Sequence, residues 1–583
     1  MIDVYIDNKK VSVPEDFTIL QAAKEADVRI PTLCFLENLQ KIGACRMCLV
    51  EIENTGRLVT SCTTPVCQGL KVLTHSEKVR KARKFVLELI LSDHPTTCLT
   101  CEKNTRCELQ DLAAEHGIEI VPYRGDKSDR GKDSAANSLR YDGEKCIYCK
   151  RCETMCNTVQ TVGAIYSKKR GFNAEVGTPF NVGFQDSVCV GCGQCVLNCP
   201  VAALKDQDDT AKVWDAIMDP DIITVVQVAP SVRVTLGEEF GLEPGTIVTG
   251  KIFAAMRKMG FDHIFDTDFG ADLTIMEEGY EFIKRVKEGG TLPMLTSCSP
   301  GWVNFLETFF PELVPNLSSA KSPQAMVGAM VKSFFAEKEG IDPSKIRVIS
   351  VMPCTAKKDE SKRPQLGADG WSDVDIVVTT REFAKMIRQR NLDFVNLPDE
   401  QPDNPLGMST GAALIFGASG GVMEAALRTA LEVLEGHSIE NIDYKAVRGL
   451  KLDGVKEAAV KTKIDGKEVE VKVAVASGLA NARKLMEKVR AGEVDYHFIE
   501  IMACPGGCIG GGGQPIPTNT EVRKKRIEGI YKGDSSMELR KSHENPFIKK
   551  LYDEYLGEPL GEKSHKYLHT HFKEQKYYNN IKK

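Results

Sequence analysis

The sequence predicts a multidomain α+β protein, with three small cysteine-rich units ahead of one large α/β unit. Its 583 residues leave room for roughly three to five domains of about 150 residues, and 42% apolar residues suffice for buried cores. All but four of its 20 cysteines fall before residue 200, mostly in tight Cys-x-x-Cys groups. Beyond Asp206, short apolar runs alternate with helical stretches, the pattern of strands covered by helices.

Composition excludes several classes. The net charge of −5 is mild, and no basic stripe with interleaved aromatics marks a nucleic-acid surface. No run approaches the ~20 apolar residues of a membrane span, so no membrane insertion is expected. Met1 to Asp7 has neither the basic nor the apolar region of a signal peptide, which points to the cytoplasm. In that compartment, cysteines at this density imply metal ligands and not disulfides.

Within residues 1–80, Val4-Tyr5-Ile6 and Val11-Ser12-Val13 alternate as a hairpin, Thr18 to Ala26 reads as a capped helix, and Leu49 to Ile52 is a further strand. A small β-grasp domain is expected. Cys34, Cys45, Cys48 and Cys62 have ten, two and thirteen residues between them, unlike the plant ferredoxin spacing. Four thiolates on the loops of one small domain suit a 2Fe-2S cluster. Zinc is the competing reading, weakened because the central pair lacks a second close pair. Cys67 fits no pattern. The spacing resembles the N-terminal 2Fe-2S domain shared by the large iron-sulfur subunit of NADH dehydrogenases and the larger iron-only hydrogenases.

Residues 81–125 follow a helix from Glu77 to Ser92 whose apolar face is read as Val79, Ala82, Val86, Leu89 and Ile90. It ends at His94, followed by Cys98, Cys101 and Cys107. Three cysteines fall one short of a 4Fe-4S set, and His94 stands where the missing ligand belongs; zinc is again the alternative. The spacing resembles the histidine-ligated cluster of the same family, and a neutral imidazole in place of a thiolate raises a cluster's potential.

Residues 126–208 begin with a polar linker, Tyr123 to Ser138. Cys146, Cys149, Cys152 and Cys156 are then echoed by Cys189, Cys192, Cys195 and Cys199 before Pro200, the doubled run of bacterial two-cluster ferredoxins. In such a ferredoxin-like domain the fourth cysteine of each run serves the other cluster. Cys146, Cys149, Cys152 and Cys199 should hold one 4Fe-4S cluster, and Cys189, Cys192, Cys195 and Cys156 the second.

In residues 209–583, strands are expected at Ile222 to Val228, Phe261 to Phe265, Arg347 to Met352 and Asp375 to Val378, with a helix at Val422 to Glu435. The last four cysteines stand at strand ends. Apolar runs lead into Cys298 and Cys354, and Tyr496 to Met502 leads into the glycine-rich stretch bearing Cys504 and Cys508. Open α/β sheets place ligands at such carboxyl ends, and the glycines would let backbone crowd a bulky inorganic group. Gly510 to Gly513 lacks the helix and distant acid of a nicotinamide fingerprint.

Thr296-Ser-Cys298-Ser-Pro300-Gly-Trp302, Met352-Pro-Cys354-Thr-Ala-Lys357 and Glu500-x-Met502-Ala-Cys504-x2-Gly507-Cys508 resemble the catalytic domain of iron-only (FeFe) hydrogenases. The resemblance covers essentially the whole chain. It implies an H-cluster, a 4Fe-4S cubane joined through Cys508 to a two-iron unit bearing CO, cyanide and an aza-dithiolate, with Cys354 and Cys504 also on the cubane. It places Lys357 against a cyanide and lines the pocket with Pro230, Ser231, Gln324, Met352, Phe416 and Met502. The departure is Ser299, which stands where the family has the cubane's remaining cysteine. Strict register makes Cys298 the proton relay and Ser299 the ligand. Thiolate chemistry favours a one-residue adjustment that makes Cys298 the ligand.

The resemblance further implies reversible interconversion of dihydrogen with protons and electrons. Its proton route runs from Cys298 through Glu278, Ser318 and Glu281 to Arg285; the two glutamates, three apart, share a helix face. One 2Fe-2S and three accessory 4Fe-4S clusters would carry electrons to ferredoxin, to a flavin- and NAD(P)-binding partner subunit, or to both in a bifurcating complex, and maturation proteins must supply the two-iron unit. An electron-carrying respiratory subunit, a hydrogen sensor and an iron-sulfur assembly factor are the competing readings. The tail from Asn545 onwards is expected to wrap the catalytic domain.

Overall fold

The computed structural model describes residues 1–439, 441–464 and 467–577. At the N-terminus, a five-stranded mixed sheet has the order Lys9–Val13, Ile2–Ile6, Lys71–Leu73, Leu49–Ile52, Arg57–Thr60. Helix Ile19–Glu25 packs on it, opened by Thr18 and Gln21 in a reciprocal capping box that satisfies two otherwise orphaned amides. Val4, Ile6, Ala22 and Val50 fill the interface, and Cys48 and Cys62 lie in the same core.

Helix Glu77–Asp93 forms as read, but its face differs: Val79, Arg83 and Leu87 are buried, whereas Leu89 is 45% exposed. The reason is Arg83. Its guanidinium donates twice to the Leu49 carbonyl, at 2.7 and 3.1 Å, so its apolar stem takes a place that periodicity alone gives to a hydrophobe. The polar stretch that follows is a strap more than a free linker. Arg130 pairs with Asp93 at 2.9 Å and donates to the Cys146 carbonyl at 2.9 Å, tying the helix end to the first cysteine of the next unit.

The C-terminal region is built on two four-stranded sheets. One is wholly parallel, ordered His263–Asp266, Ile223–Val228, Ile346–Met352, Ile376–Thr379. The other orders Met294–Leu295, Phe498–Met502 and Lys467–Ser477 in parallel, with Lys456–Ile464 antiparallel at its edge. The strands read at Phe261 and Asp375 thus begin slightly later. More consequentially, the strand-end cysteines do not leave one sheet: Cys354 follows the first, Cys298 and Cys504 the second.

Helix Thr267–Glu288 is buried along most of its length and packs against helices Pro323–Met330 and Gly421–Glu435. The tail does wrap: Ala320 bridges to His569, the Lys321 amide donates to the Leu568 carbonyl, and the Gln575 amide to the Glu307 carbonyl. No helix among the described residues is long and apolar enough to cross a membrane.

Arg428 ties helix Gly421–Glu435, on which it lies with Glu424, to helix Thr520–Ser536, which carries Asp534. Fully buried, it pairs with Glu424 at 2.8 Å and with Asp534 at 2.8 Å. Arg428→Ala should destabilise the fold, because it strips a buried pair of one partner. Arg448 and Arg540 still face the same carboxylates, so the loss should stay near about 3 kcal/mol, read as a lowered denaturant midpoint.

Candidate active site and its metal centres

Where the two sheets meet, Cys298, Cys354, Cys504 and Cys508 come together as free thiols. Burial pushes Cys354 up to about 12 and Cys508 to about 11, and raises Cys298 and Cys504 well above the ordinary thiol range. Cys504 also feels the charges of Cys354 and Cys508. Thiolates are unstable here unless a cation offsets them, which is the condition a metal centre meets.

The glycine-rich loop serves mainly protein packing. A Cβ on Gly511 would lie 2.3 Å from the Pro353 carbonyl oxygen, and one on Gly512 would lie 2.5 Å from the Cys192 carbonyl oxygen. The loop is therefore pressed between the Cys354 strand end and the ferredoxin-like unit. Residues that sequence reasoning missed hold that seam. Gln160 donates to the Ala503 carbonyl at 2.9 Å, Gln194 to the Gly510 carbonyl at 2.9 Å, and Thr355 to the Gly191 carbonyl at 2.6 Å. Each pairs positions too far apart in the chain for any local pattern to reveal them.

Ser299 opens helix Pro300–Phe309, and its Oγ accepts from the Ala503 amide at 3.2 Å, next to Cys504. Cys298 keeps other company. After burial, the Glu278 carboxylate is the strongest influence raising its thiol, and Lys357 pulls it back. Lys357 donates to the Cys298 carbonyl at 3.2 Å and pairs with Glu360, three residues on, at 2.8 Å. Glu360 also accepts from Gln324 at 2.7 Å.

Glu278 is pushed up to about 8, first by burial and then by the Glu281 charge. Ser318 and the Ser297 amide draw it back, yet neither reaches hydrogen-bond geometry with its oxygens. Glu281 accepts from Ser318 at 2.8 Å, from the Ser319 amide at 3.0 Å, and from Arg285 at 2.5 Å. Arg285 lines a cavity of about 330 Å³ with Lys284, Glu288, Ser319 and His565.

Pro230, Ser231, Met352, Phe416, Met502 and Gln324 are all buried, and Gln324 Oε1 has no partner. Gln514 joins this wall unforeseen, donating to Ser231 at 3.1 Å and to the Cys508 carbonyl at 3.0 Å.

The other thiols gather as their spacing suggests. Cys48 and Cys62 lie 3.3 Å apart, and Cys34 and Cys45 interact directly. His94, Cys98, Cys101 and Cys107 line one cavity. Burial lowers His94 to about 4, and its Nδ1 is buried without a partner, a neutral nitrogen available to metal. Cys199 influences Cys146, Cys149 and Cys152, while Cys156 shares a cavity with Cys189, Cys192 and Cys195. Cys67 stands exposed.

Clustered thiols leading to a buried acid define an iron-sulfur oxidoreductase. Family models match as "2Fe-2S iron-sulfur cluster binding domain" over residues 1–77, "NADH-ubiquinone oxidoreductase-G iron-sulfur binding region" over 83–122, and "4Fe-4S dicluster domain" over 145–203. Residues 222–512 match "Iron only hydrogenase large subunit, C-terminal domain", and 520–575 match "Iron hydrogenase small subunit". The chain is 52% identical to the NADP-reducing hydrogenase subunit HndD of Solidesulfovibrio fructosivorans, across 98% of its own length and 99% of that protein. It is 40% identical to iron hydrogenase 1 of Clostridium pasteurianum, across 98% and 100%. The solved FeFe hydrogenase HydA1 of Chlamydomonas reinhardtii superposes with a TM-score of 0.58 at 42% identity, over 63% of this chain and 99% of that one. The chain belongs to the iron-only (FeFe) hydrogenases, oxidoreductases acting on hydrogen, and carries accessory 2Fe-2S and 4Fe-4S domains.

Glu278 should hold its proton until pH rises through about 8. The unfolded chain releases that proton near the ordinary glutamate value of about 4.3, so unfolding sheds a proton between these values and this residue's effect is to lower stability as pH rises between them. Infrared spectra should show a protonated-carboxyl band at neutral pH that fades above pH 8 and is missing in Glu278→Gln.

Proposed function

We propose that this enzyme interconverts dihydrogen with protons and electrons at an H-cluster, and exchanges those electrons with a NAD(P)-linked partner subunit. The reading assigns residues 1–80 to a β-grasp 2Fe-2S domain, 81–125 to a histidine-ligated 4Fe-4S domain, 126–208 to a two-cluster ferredoxin-like domain and 209–583 to the catalytic domain. The observation that carries it is the seam at Gly512, where the Cys192 loop meets the Cys504 loop in backbone contact. It offers electrons a short way from the catalytic thiols to an accessory cluster. The likeness to an NADP-reducing subunit and to an NADH dehydrogenase region supports the partner's chemistry. Ferredoxin exchange, bifurcation, a cytoplasmic site and dedicated maturation proteins belong to the same reading.

When bound, the H-cluster supplies heterolysis of dihydrogen and takes up its electrons. Cys354, Cys504 and Cys508 would hold the cubane, with Cys508 shared with the two-iron unit. The placement of Ser299 beside Ala503, and of Cys298 beside Glu278, supports strict register: Ser299 takes the remaining cubane position and Cys298 the first proton. This reverses the adjustment that thiolate chemistry favoured. Cys298 then hands its proton to Glu278, whose raised affinity for protons suits an acceptor at neutral pH. Ser318 and Glu281 carry it to Arg285 at the cavity. Lys357 fixes the Cys298 backbone and presents a cation to the pocket.

Infrared spectra of anaerobic, matured protein should show iron-bound CO and cyanide bands that move on adding dihydrogen; their absence with accessory clusters intact would refute the reading. Ser299→Ala should lose the cubane's electron-paramagnetic signal. Cys298→Ala should keep that signal and lose roughly 10²–10⁴-fold in turnover, as removal of a proton-transfer group does. The opposite pattern would restore Cys298 as the ligand. Dihydrogen-dependent NAD(P) reduction should appear only when partner subunits are added.

A further inference from the structure

Glu281 has a second neighbour that the Arg285 route does not use. Ser319 Oγ lies 3.2 Å from Glu281 Oε2 and 2.8 Å from Nδ1 of His569, and His569 Nε2 lies 2.9 Å from Glu277 Oε2. Glu277 is fully buried, held by the Tyr552 hydroxyl and by the Leu560 amide at 2.9 Å. The ring of His565 lies tilted beside His569 with centroids 4.6 Å apart, and His565 lines the same cavity as Arg285. The groups facing His569 are therefore Glu277 and Glu281 from the long helix, His565 from its own helix, and Tyr552 across Glu277, with Lys284 acting on His565.

We propose that Ser319, His569 and Glu277 form a side branch of the proton route in which His569 holds one proton while another occupies Glu281. The inference rests on the reading that protons from the active site reach Glu281. The geometry permits the transfer without moving a heavy atom. With Glu281 protonated, its carboxyl donates to Ser319, Ser319 donates to His569 Nδ1, and His569 Nε2–H donates to Glu277. A concerted shift moves the Glu281 proton to Ser319 Oγ as the Ser319 proton passes to Nδ1. Ser319 then donates to the Glu281 carboxylate, and the imidazolium donates at both nitrogens, balanced by Glu277. One proton has moved and no electrons have. Each dihydrogen yields two protons, so a single-file exit through Arg285 would detain the second until the first had left. The branch relieves that queue, and His569 acts as a positioning group for protons, remote from the reacting atoms.

The test uses the matured full-length enzyme with an artificial electron acceptor. His569→Gln should lower dihydrogen oxidation about tenfold at neutral and alkaline pH, a modest share of the loss a proton-transfer group can cause because the Arg285 exit survives. The solvent isotope effect should grow, and added imidazole should restore turnover in His569→Gly. Turnover within twofold of the parent at every pH, with an unchanged isotope effect, would overturn the branch. Should the His569 variants lose their cluster absorbance, Ser319→Ala decides the matter, because its amide still binds Glu281 while the hydroxyl link is cut; wild-type behaviour there is equally fatal. A parent protein lacking CO and cyanide bands would instead sink the underlying reading.

Discussion

Thiols removed from water without a cation are held protonated, and the catalytic region is organised around that constraint. Burial drives Cys298, Cys354, Cys504 and Cys508 upward, so the seam between the two sheets is a place where thiolates persist only with metal. The polypeptide achieves such burial by converging strand ends from two sheets and closing them with backbone. Glycines at 511 and 512 are required because the Pro353 and Cys192 carbonyls occupy the space a side chain would need. The N-terminal thiols differ: contact with Cys34 lowers Cys45 to about 6, and contact with Cys62 lowers Cys48 to about 7. There, neighbouring thiols do more than desolvation to set which sulfur gives up its proton.

Much of this was legible because metal ligation is local in sequence. Spacings such as Cys146, Cys149 and Cys152 must fit one short loop, so the loop writes itself into the chain. The strands and helices that were named form close to their expected bounds, but the pair Lys456–Ile464 and Lys467–Ser477 was not expected, and the buried face of helix Glu77–Asp93 differs at Leu87, at Leu89 and at Arg83, whose stem behaves as a hydrophobe only once its head has found the Leu49 carbonyl. What could not be read was pairing across the chain. Gln160 and Gln194 are ordinary polar residues until folding sets them against Ala503 and Gly510. The convergence of three strand ends was visible, but their division between two sheets depends on crossovers that no single segment records.

Ser299 shows the limit from the other side. Its identity invited a chemical argument about ligands, whereas its location is fixed by the helix it opens. The Trp302 and Val303 amides both donate to the Ser299 carbonyl, at 2.9 and 3.0 Å, and Pro300 begins the first turn. Moving Cys298 into that place would shift the helix start by one residue and break these bonds together with the Trp302 indole's bond to the Thr296 carbonyl at 3.1 Å. In the proposed reading, backbone register therefore outweighs the preference of iron for sulfur at this corner.

In the proposed reading, electrons and protons leave by different elements. The cysteine loops face the unit bearing Cys192 through Thr355, Gln194 and Gly512, with buried Asp359 against Gly191 in the same seam. Helix Thr267–Glu288 turns Glu277 to the tail and Glu281 to Ser319 and Arg285, while Glu278 lies beside Cys298. The tail completes this second face, because His569 meets Glu277 only when residues 320 and 569 pair. In that reading the buried acids are tuned by desolvation and by one another, as Glu278 is by Glu281. By burying Glu277 against His569 and Tyr552, the wrapped tail would thus belong to the proposed proton machinery's dielectric boundary as well as cover the core.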